Sequence, residues 1–319
     1  MTRMKICIIG NSGHWGYARK ALMNHTLVGI APGYPGDDMV AAQERLKKIG
    51  TDAPIYDDYR QLLEQADVAV INTRFDLNAQ IAAECLEKNV HAFTEKPLAT
   101  TLPQLEMLRK VQEGSQAMVV GMFGIRYEPW CVTLKEAVKG IGEIRMVNAQ
   151  KSYKLGARPE FYEKREHFGG IIPWVAIHAI DWICYLTGAK VEKMSALQSR
   201  LHNFSRGDLE MTALCQFRLE GDILASVNAD YYRPLSAPTH GDDRVRVVGT
   251  QGILEYQGGI VTKIDKDGVT ELPLMSSENI FSLFLRRIAG EAAGITPEES
   301  FYITEIALQA RDLADEISL

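Results

Sequence analysis

Apolar and polar positions give the 319-residue chain two textures. Over residues 1–121, short apolar runs alternate with segments of helical period. The runs fall at residues 6–9, 27–30, 54–56, 68–72, 89–93 and 117–121. Helical spacing lies between them at 17–23, 40–49, 59–65, 77–88 and 102–113. A run such as 68–72, apolar throughout, is the kind a parallel sheet covers on both faces. Strands alternating with helices predict an α/β doubly wound parallel sheet. After Gly121 the strands lengthen and polar and apolar residues take turns within them, at 144–153, 191–198, 210–219, 223–232 and 243–248. A hairpin-like pair follows at 253–256 and 259–265. Strands in succession with one apolar face predict an antiparallel sheet covered on one side. An apolar second face would be a subunit interface. A helix at 129–139 leads into these strands and one long helix, 173–186, interrupts them. Two more helices close the chain, at 277–290 and 297–317. The expected division is a first domain at 1–121 and a second at 122–319, with the last helix able to pack back on the first.

Composition narrows the classes. The formal charge is −6 and there is no Lys/Arg run, which argues against nucleic acid as a partner. No apolar run reaches the length of a membrane span. Residues 1–5 lead straight into the first strand without a long apolar leader, so the expected location is cytoplasmic. The five cysteines are odd in number and scattered, with no Cys-x-x-Cys. That fits reduced thiols rather than a disulfide framework or zinc knuckle.

Three stretches carry candidate chemistry. The first strand runs into Gly10-Asn11-Ser12-Gly13-His14-Trp15-Gly16, and a helix is expected next. Such a unit lets backbone and helix N–H groups approach a diphosphate. Gly10, Ser12, Gly13, His14 and Trp15 are therefore cofactor candidates. An acid that would hold the adenosine ribose is expected at the end of the second strand, where Ala31-Pro32-Gly33 stand instead; Asp37 and Asp38 follow late. No base stands close by for a 2′-phosphate, the next being Arg45, so NAD and NADP both stay open. The second stretch is Glu95-Lys96-Pro97, which ends the strand at 89–93. Proline stops the ladder and holds Lys96 at the carboxyl end of a strand, where ligands sit in open α/β sheets. The third is the helix that begins near Pro173. Trp174, His178 and Asp181 lie at i, i+4 and i+7 and share one face. A histidine there can accept a proton if a carboxylate fixes its tautomer. His178 and Asp181 have no third ligand at a recognisable metal spacing, His167 included, so no metal is expected. Tyr153, Arg158 and Tyr162, near a polar loop, are candidate substrate contacts, and Trp174 is a candidate flat apolar platform beneath a substrate.

In this order the glycine turn, Glu95-Lys96-Pro97, Val120-Gly121 leading to Arg126-Tyr127 and Pro129, Gly140-x-Gly142, and Gly169-Gly170 before His178 resemble the Gfo/Idh/MocA family of NAD(P)-dependent oxidoreductases. The resemblance covers nearly the whole chain. It implies an N-terminal Rossmann domain and a C-terminal α+β domain with an open-faced, mostly antiparallel sheet. It also implies a homodimer or homotetramer through that sheet, and oxidation or reduction of a carbinol of a polyol, sugar or cyclitol. By that resemblance Lys96 would hydrogen-bond the reacting hydroxyl and His178 would be the base, with Arg126 among the substrate contacts. Thr73, Arg74, Phe75, Ala31, Glu95 and Lys96 would border the cofactor. The chain departs from the family pattern in having Trp174 where Asp is frequent, Arg74-Phe75 after Thr73 where Pro-Asn is frequent, and Asn78 at a frequent His position. Asp181 is the expected stand-in for the missing Asp. The altered rim leaves a second reading, a non-catalytic dinucleotide- or sugar-binding regulator on the same fold. Redox-assisted glycoside cleavage is a third.

Overall fold

The computed structural model describes residues 3–317 and forms two compact units. The first gathers Met1–Gly124, Glu166–Gly169 and Asn279–Thr304; the second gathers Ile125–Arg165, Gly170–Glu278 and Glu305–Leu319. The chain thus leaves the first unit and comes back to it.

The first unit is built on five parallel strands: β1 Lys5–Ile9, β2 Thr26–Ala31, β3 Val68–Ile71, β4 His91–Thr94 and β5 Val119–Gly121. Their order is β2-β1-β3-β4-β5. All four residues of β3 are fully buried, as strands covered on both faces must be. The strand expected at 54–56 shrinks to one parallel bridge, Ile55 with Ile30. Pro54 has no N–H for a ladder; its carbonyl accepts Ile30 N–H at 3.0 Å, and Tyr56 N–H reaches the Ile30 carbonyl at 2.9 Å. With that bridge counted beside β2, the sheet has the 3-2-1-4-5-6 Rossmann order, which reverses between β1 and β3. Helices Met39–Lys47, Asn78–Glu87 and Leu102–Gly114 connect the strands. Asp38 and Thr101 cap the first and third of these by accepting N–H groups of their opening turns. The late segment adds helix Ile280–Ile288, whose Phe281 and Phe284 rings lie 5.0 and 5.6 Å from that of Phe93.

One expected helix is corrected. Residues 17–23 form a 3₁₀ turn, Trp15–Ala18, and then a four-residue α-helix, Arg19–Leu22. Gly13 and Gly16 at its approach have poor helix propensity, and the buried Trp15 ties the turn down instead.

The second unit contains eight strands: β6 Ile144–Tyr153, β7 Val191–Ser199, β8 Thr212–Leu219, β9 Ile223–Asp230, β10 Gly241–Gly249, β11 Gly252–Gln257, β12 Ile260–Asp265 and β13 Gly268–Leu272. They run β13-β12-β11-β10-β6-β9-β8-β7. Every neighbouring pair is antiparallel except β6 with β9. The sequence pattern omitted β13 because its residues are almost all exposed and show no apolar alternation. On β8, Ala213, Cys215, Phe217 and Leu219 are buried while Leu214 between them is exposed. Leu214 pairs with the equally exposed Leu197 of β7, so one sheet face is open. The long buried helix begins with a π turn, Ile172–Ala176, and continues as Ile177–Thr187. Contrary to expectation, one helical stretch, Arg165–Thr187, has the length and apolar composition to cross a membrane; 89% of its apolar window is buried, as in a core helix.

Candidate functional site

The reversal of strand order is where the glycine turn closes. Gly10 has φ +82°, and a Cβ there would stand 2.6 Å from the Asn72 carbonyl oxygen, so only glycine fits. The turn's N–H groups are mostly engaged within the protein. Gly10 donates to the Ala31 carbonyl at 2.8 Å and Ser12 to the Asn72 carbonyl at 2.7 Å. Asn11 donates to Asp37 at 3.2 Å and His14 to Glu95 at 2.5 Å. The N–H groups of Gly13 and Trp15 remain for a diphosphate. With only a four-residue helix behind it, the turn offers little helix dipole, which corrects the sequence expectation. Beside it, the buried Asn72 amide nitrogen and oxygen and the Thr94 hydroxyl have no hydrogen-bond partner. Orphaned polar groups at the carboxyl ends of β3 and β4 are what an absent polar ligand would satisfy. On this ground the residues present fit a dinucleotide.

Asp37, which the linear spacing set aside as late, folds back to this place. Its carboxylate accepts Ser12 Oγ at 2.9 Å, Thr73 Oγ1 at 2.8 Å, and the N–H groups of Gly33 and Tyr34 at 2.9 and 3.2 Å. It thereby ties the end of β2 to the glycine turn and to Thr73. Ala31 itself is buried. Arg74 is held by Asp76 at 2.7 and 3.0 Å and covers the Tyr34 ring, and Phe75 is packed with Phe168 at 6.4 Å.

At the end of β4 lies the corner that carries Lys96, whose side chain is 2% exposed; the Lys96–Pro97 peptide is cis. Asn78 clamps this corner. Its Nδ2 donates to the Glu95 carbonyl at 3.1 Å and to the Pro97 carbonyl at 3.0 Å, bracketing Lys96 from both sides. The sequence marked Asn78 only as a departure from the family; its two acceptors are 17 and 19 residues away and leave no local signal. Asn78→Ala is expected to cost about 1–3 kcal/mol, because two buried carbonyls lose their donor. It should also lower kcat by displacing Lys96; urea melts and steady-state rates check both.

The Glu95 side chain is fully buried under the glycine turn, where a Cβ on Gly13 would collide with it. Its Oε1 also meets His14 Nδ1 at 2.5 Å. Burial pushes this carboxyl up, but the His14 and Lys96 charges with His14's hydrogen bonds outweigh it, and the net shift is downward. A depressed folded value means the carboxylate's stabilisation is full above the ordinary Glu range, about 4.3. It is lost as pH falls through the folded value. Thermal melts between pH 6 and 3 should therefore show an acid decline that flattens in Glu95→Gln.

In the second unit the helix places Trp174 in the π turn and His178 and Asp181 just after it, all nearly buried. Asp181 accepts Arg126 Nε at 3.0 and 3.2 Å and also pairs with Arg126 Nη2. Arg126 is 2% exposed and lies over the Tyr185 ring at 5.0 Å. The substrate contact expected of Arg126 and the imidazole contact expected of Asp181 thus compete with a buried ion pair between the two. Arg158 stands between the Tyr162 and Tyr231 rings, and Tyr153 is beside Lys151 and His240. Tyr231, Lys151 and His240 were not among the sequence candidates; they come from three different strands or loops, with no shared spacing. Among the described residues no group of three or more His, Cys, Asp or Glu could hold a metal.

Comparison with known proteins agrees with this geometry. Residues 4–122 match the model of an oxidoreductase family with an NAD-binding Rossmann fold, and residues 132–255 match the GFO/IDH/MocA C-terminal domain. A Thermotoga maritima structure assigned to the oxidoreductases is 48% identical, covers 98% of both chains and superposes with a TM-score of 0.95. Inositol 2-dehydrogenase of Salmonella typhimurium is 31% identical over 151 residues, 43% of this chain and 45% of the relative. Myo-inositol 2-dehydrogenase of Thermotoga maritima is 25% identical over 217 residues, 66% of this chain and 62% of the relative. The match thus spans less than two thirds of these curated relatives' length.

Proposed function

This chain belongs to the GFO/IDH/MocA oxidoreductase family, and from that premise we propose that it transfers a hydride between NAD(P) and a carbinol of a sugar, cyclitol or sugar derivative. The observation that carries this reading is the buried Lys96, bracketed by Asn78 at the carboxyl end of a Rossmann strand. When bound, the nicotinamide accepts or returns the hydride. The carbinol gives up hydride only as its hydroxyl proton leaves, so a base must reach the oxygen and a cation must lower the cost of the developing alkoxide. Lys96 takes the second role as a three-donor ammonium, and His178 takes the proton. Asp37 favours NAD over NADP, because its negative charge at the end of β2 opposes a 2′-phosphate. Its five accepted hydrogen bonds leave that charge fixed in place.

The open sheet face with Leu197 and Leu214 supports a homodimer or homotetramer. Five free cysteines, four of them buried, support a reducing, cytoplasmic setting. Calorimetric titration with NAD, NADH, NADP and NADPH tests the reading. Binding of NAD and NADH in preference to their phosphorylated forms is expected, followed by reduction of NAD with a sugar or cyclitol. Failure of all four to bind would overturn it, and binding without turnover on any polyol would favour a regulator.

A further inference from the structure

Against the helix that carries His178, the second unit holds several buried donor atoms without acceptors. Arg158 has no carboxylate partner among the described residues. One N–H reaches the Lys154 carbonyl at 3.3 Å, and its buried Nε has none. Its guanidinium carbon lies 5.6 Å from the Tyr162 ring centroid and 5.5 Å from that of Tyr231. A guanidinium held between two rings keeps its planar donor edge for an acceptor. The Tyr231 hydroxyl, in a side chain 2% exposed, has no partner either, and neither has Nε1 of the fully buried Trp182. A buried donor without an acceptor is costly, and natural proteins keep few of them.

The neighbouring carboxylates are already committed. Asp243 accepts Lys151 Nζ at 2.6 Å with both oxygens. Asp230 takes Ser152 Oγ and Tyr232 N–H, each at 2.8 Å, and Glu210 pairs with Arg165. Besides burial, Arg158, Lys151 and Lys154 hold the His240 imidazole below its ordinary value, against the upward pull of Asp243.

The cluster is joined to the helix of His178 on both sides. Trp174, four residues before it, meets the Tyr162 ring edge-on at 5.9 Å. Trp182, four residues after it, lies under Lys151 Nζ at 5.2 Å. The donor cluster thus packs against the helix of the proposed base within the same unit.

We infer that the substrate is an anionic sugar or cyclitol, whose carboxylate or phosphate oxygens are received by the Arg158 guanidinium together with the Tyr231 hydroxyl. This rests on the dehydrogenase reading for the word substrate, but the binding itself does not. The hydroxyls of the neutral inositols named for the curated relatives can accept hydrogen bonds from these donors but bring no counter-charge for the Arg158 guanidinium.

The test is equilibrium binding to the NAD-loaded protein, followed by tryptophan fluorescence, with galacturonate, galactose 6-phosphate and galactose as probes. At low salt, one or both anions should bind about tenfold or more tighter than galactose, as expected for one charged hydrogen bond. Which anion binds tighter separates carboxylate from phosphate recognition. Arg158→Gln should bring the ratio of anionic to neutral affinity near one, and Tyr231→Phe, which removes only a hydroxyl, should lower it part of the way. Circular dichroism confirms that both variants are folded. Galactose binding as tightly as either anion, no anion binding, or Arg158→Gln weakening neutral and anionic sugars equally would each overturn the inference. Turnover of neutral polyols with no anionic preference would defeat it and leave the dehydrogenase standing. Arg158-dependent anion binding without hydride transfer would do the reverse.

Discussion

His178→Gln is expected to lower kcat by about 10²–10⁴-fold, the usual contribution of a positioned general base. The variant should retain its affinity for NAD. Glutamine keeps a polar side chain of similar reach but cannot accept the hydroxyl proton. The limb of the pH–rate profile that reports the base should vanish with it. Lys96→Met should cause a loss of the same order for a different reason, because the alkoxide would develop without a nearby cation. Under the proposed mechanism both groups act on one oxygen, so their losses should not add, and the double variant should be scarcely slower than the worse single one. Stopped-flow absorbance of NADH at saturating substrate measures all three. Independent, additive effects would place the two residues at different steps and break the proposed mechanism.

Asp181→Asn should be the most damaging change to stability, by about 3–5 kcal/mol, because it leaves the buried Arg126 guanidinium without its counter-charge. Both side chains are at most 2% exposed, so water cannot replace the lost partner. The pair Arg126→Met with Asp181→Leu should be milder than either charge removed alone, since no unpaired ion stays inside. Denaturant melts of the three variants give the cycle. The sequence suggested that Asp181 orients His178, in which case Asp181→Asn would lower turnover far more than stability. A stable but slow Asp181→Asn would restore that view, whereas loss of both together follows from the Arg126 pair.

Much of the fold could be read from local pattern. The apolar runs at 6–9 and 68–72 form β1 and β3 of the buried parallel sheet, and the run at 89–93 leads into β4. The alternating segments likewise became β6 to β12 of a sheet with one open face. Periodicity failed where tertiary contacts decide. Residues 54–56 look like a strand, yet Pro54 limits them to one bridge. Residues 17–23 look helical, but only four of them form an α-helix. In the candidate site, glycines and the Lys-Pro corner announce themselves by residue type. Asp37, Asn78 and the Arg126–Asp181 pair do not, because the partners that tie them into the site, Ser12 and Thr73 for Asp37, lie 17 to 55 residues away in sequence.

The late return of the chain to its first unit bears on how the protein is made. Phe93 takes Phe281 and Phe284 as ring neighbours, and Gly121 N–H donates to Ser300 Oγ at 3.2 Å. A nascent polypeptide leaving the ribosome therefore carries an unfinished first unit, its aromatic patch bare, until residues 279–304 have been translated. Chaperone dependence during synthesis should be greatest in that interval, and truncation near residue 278 should harm the half that was made first.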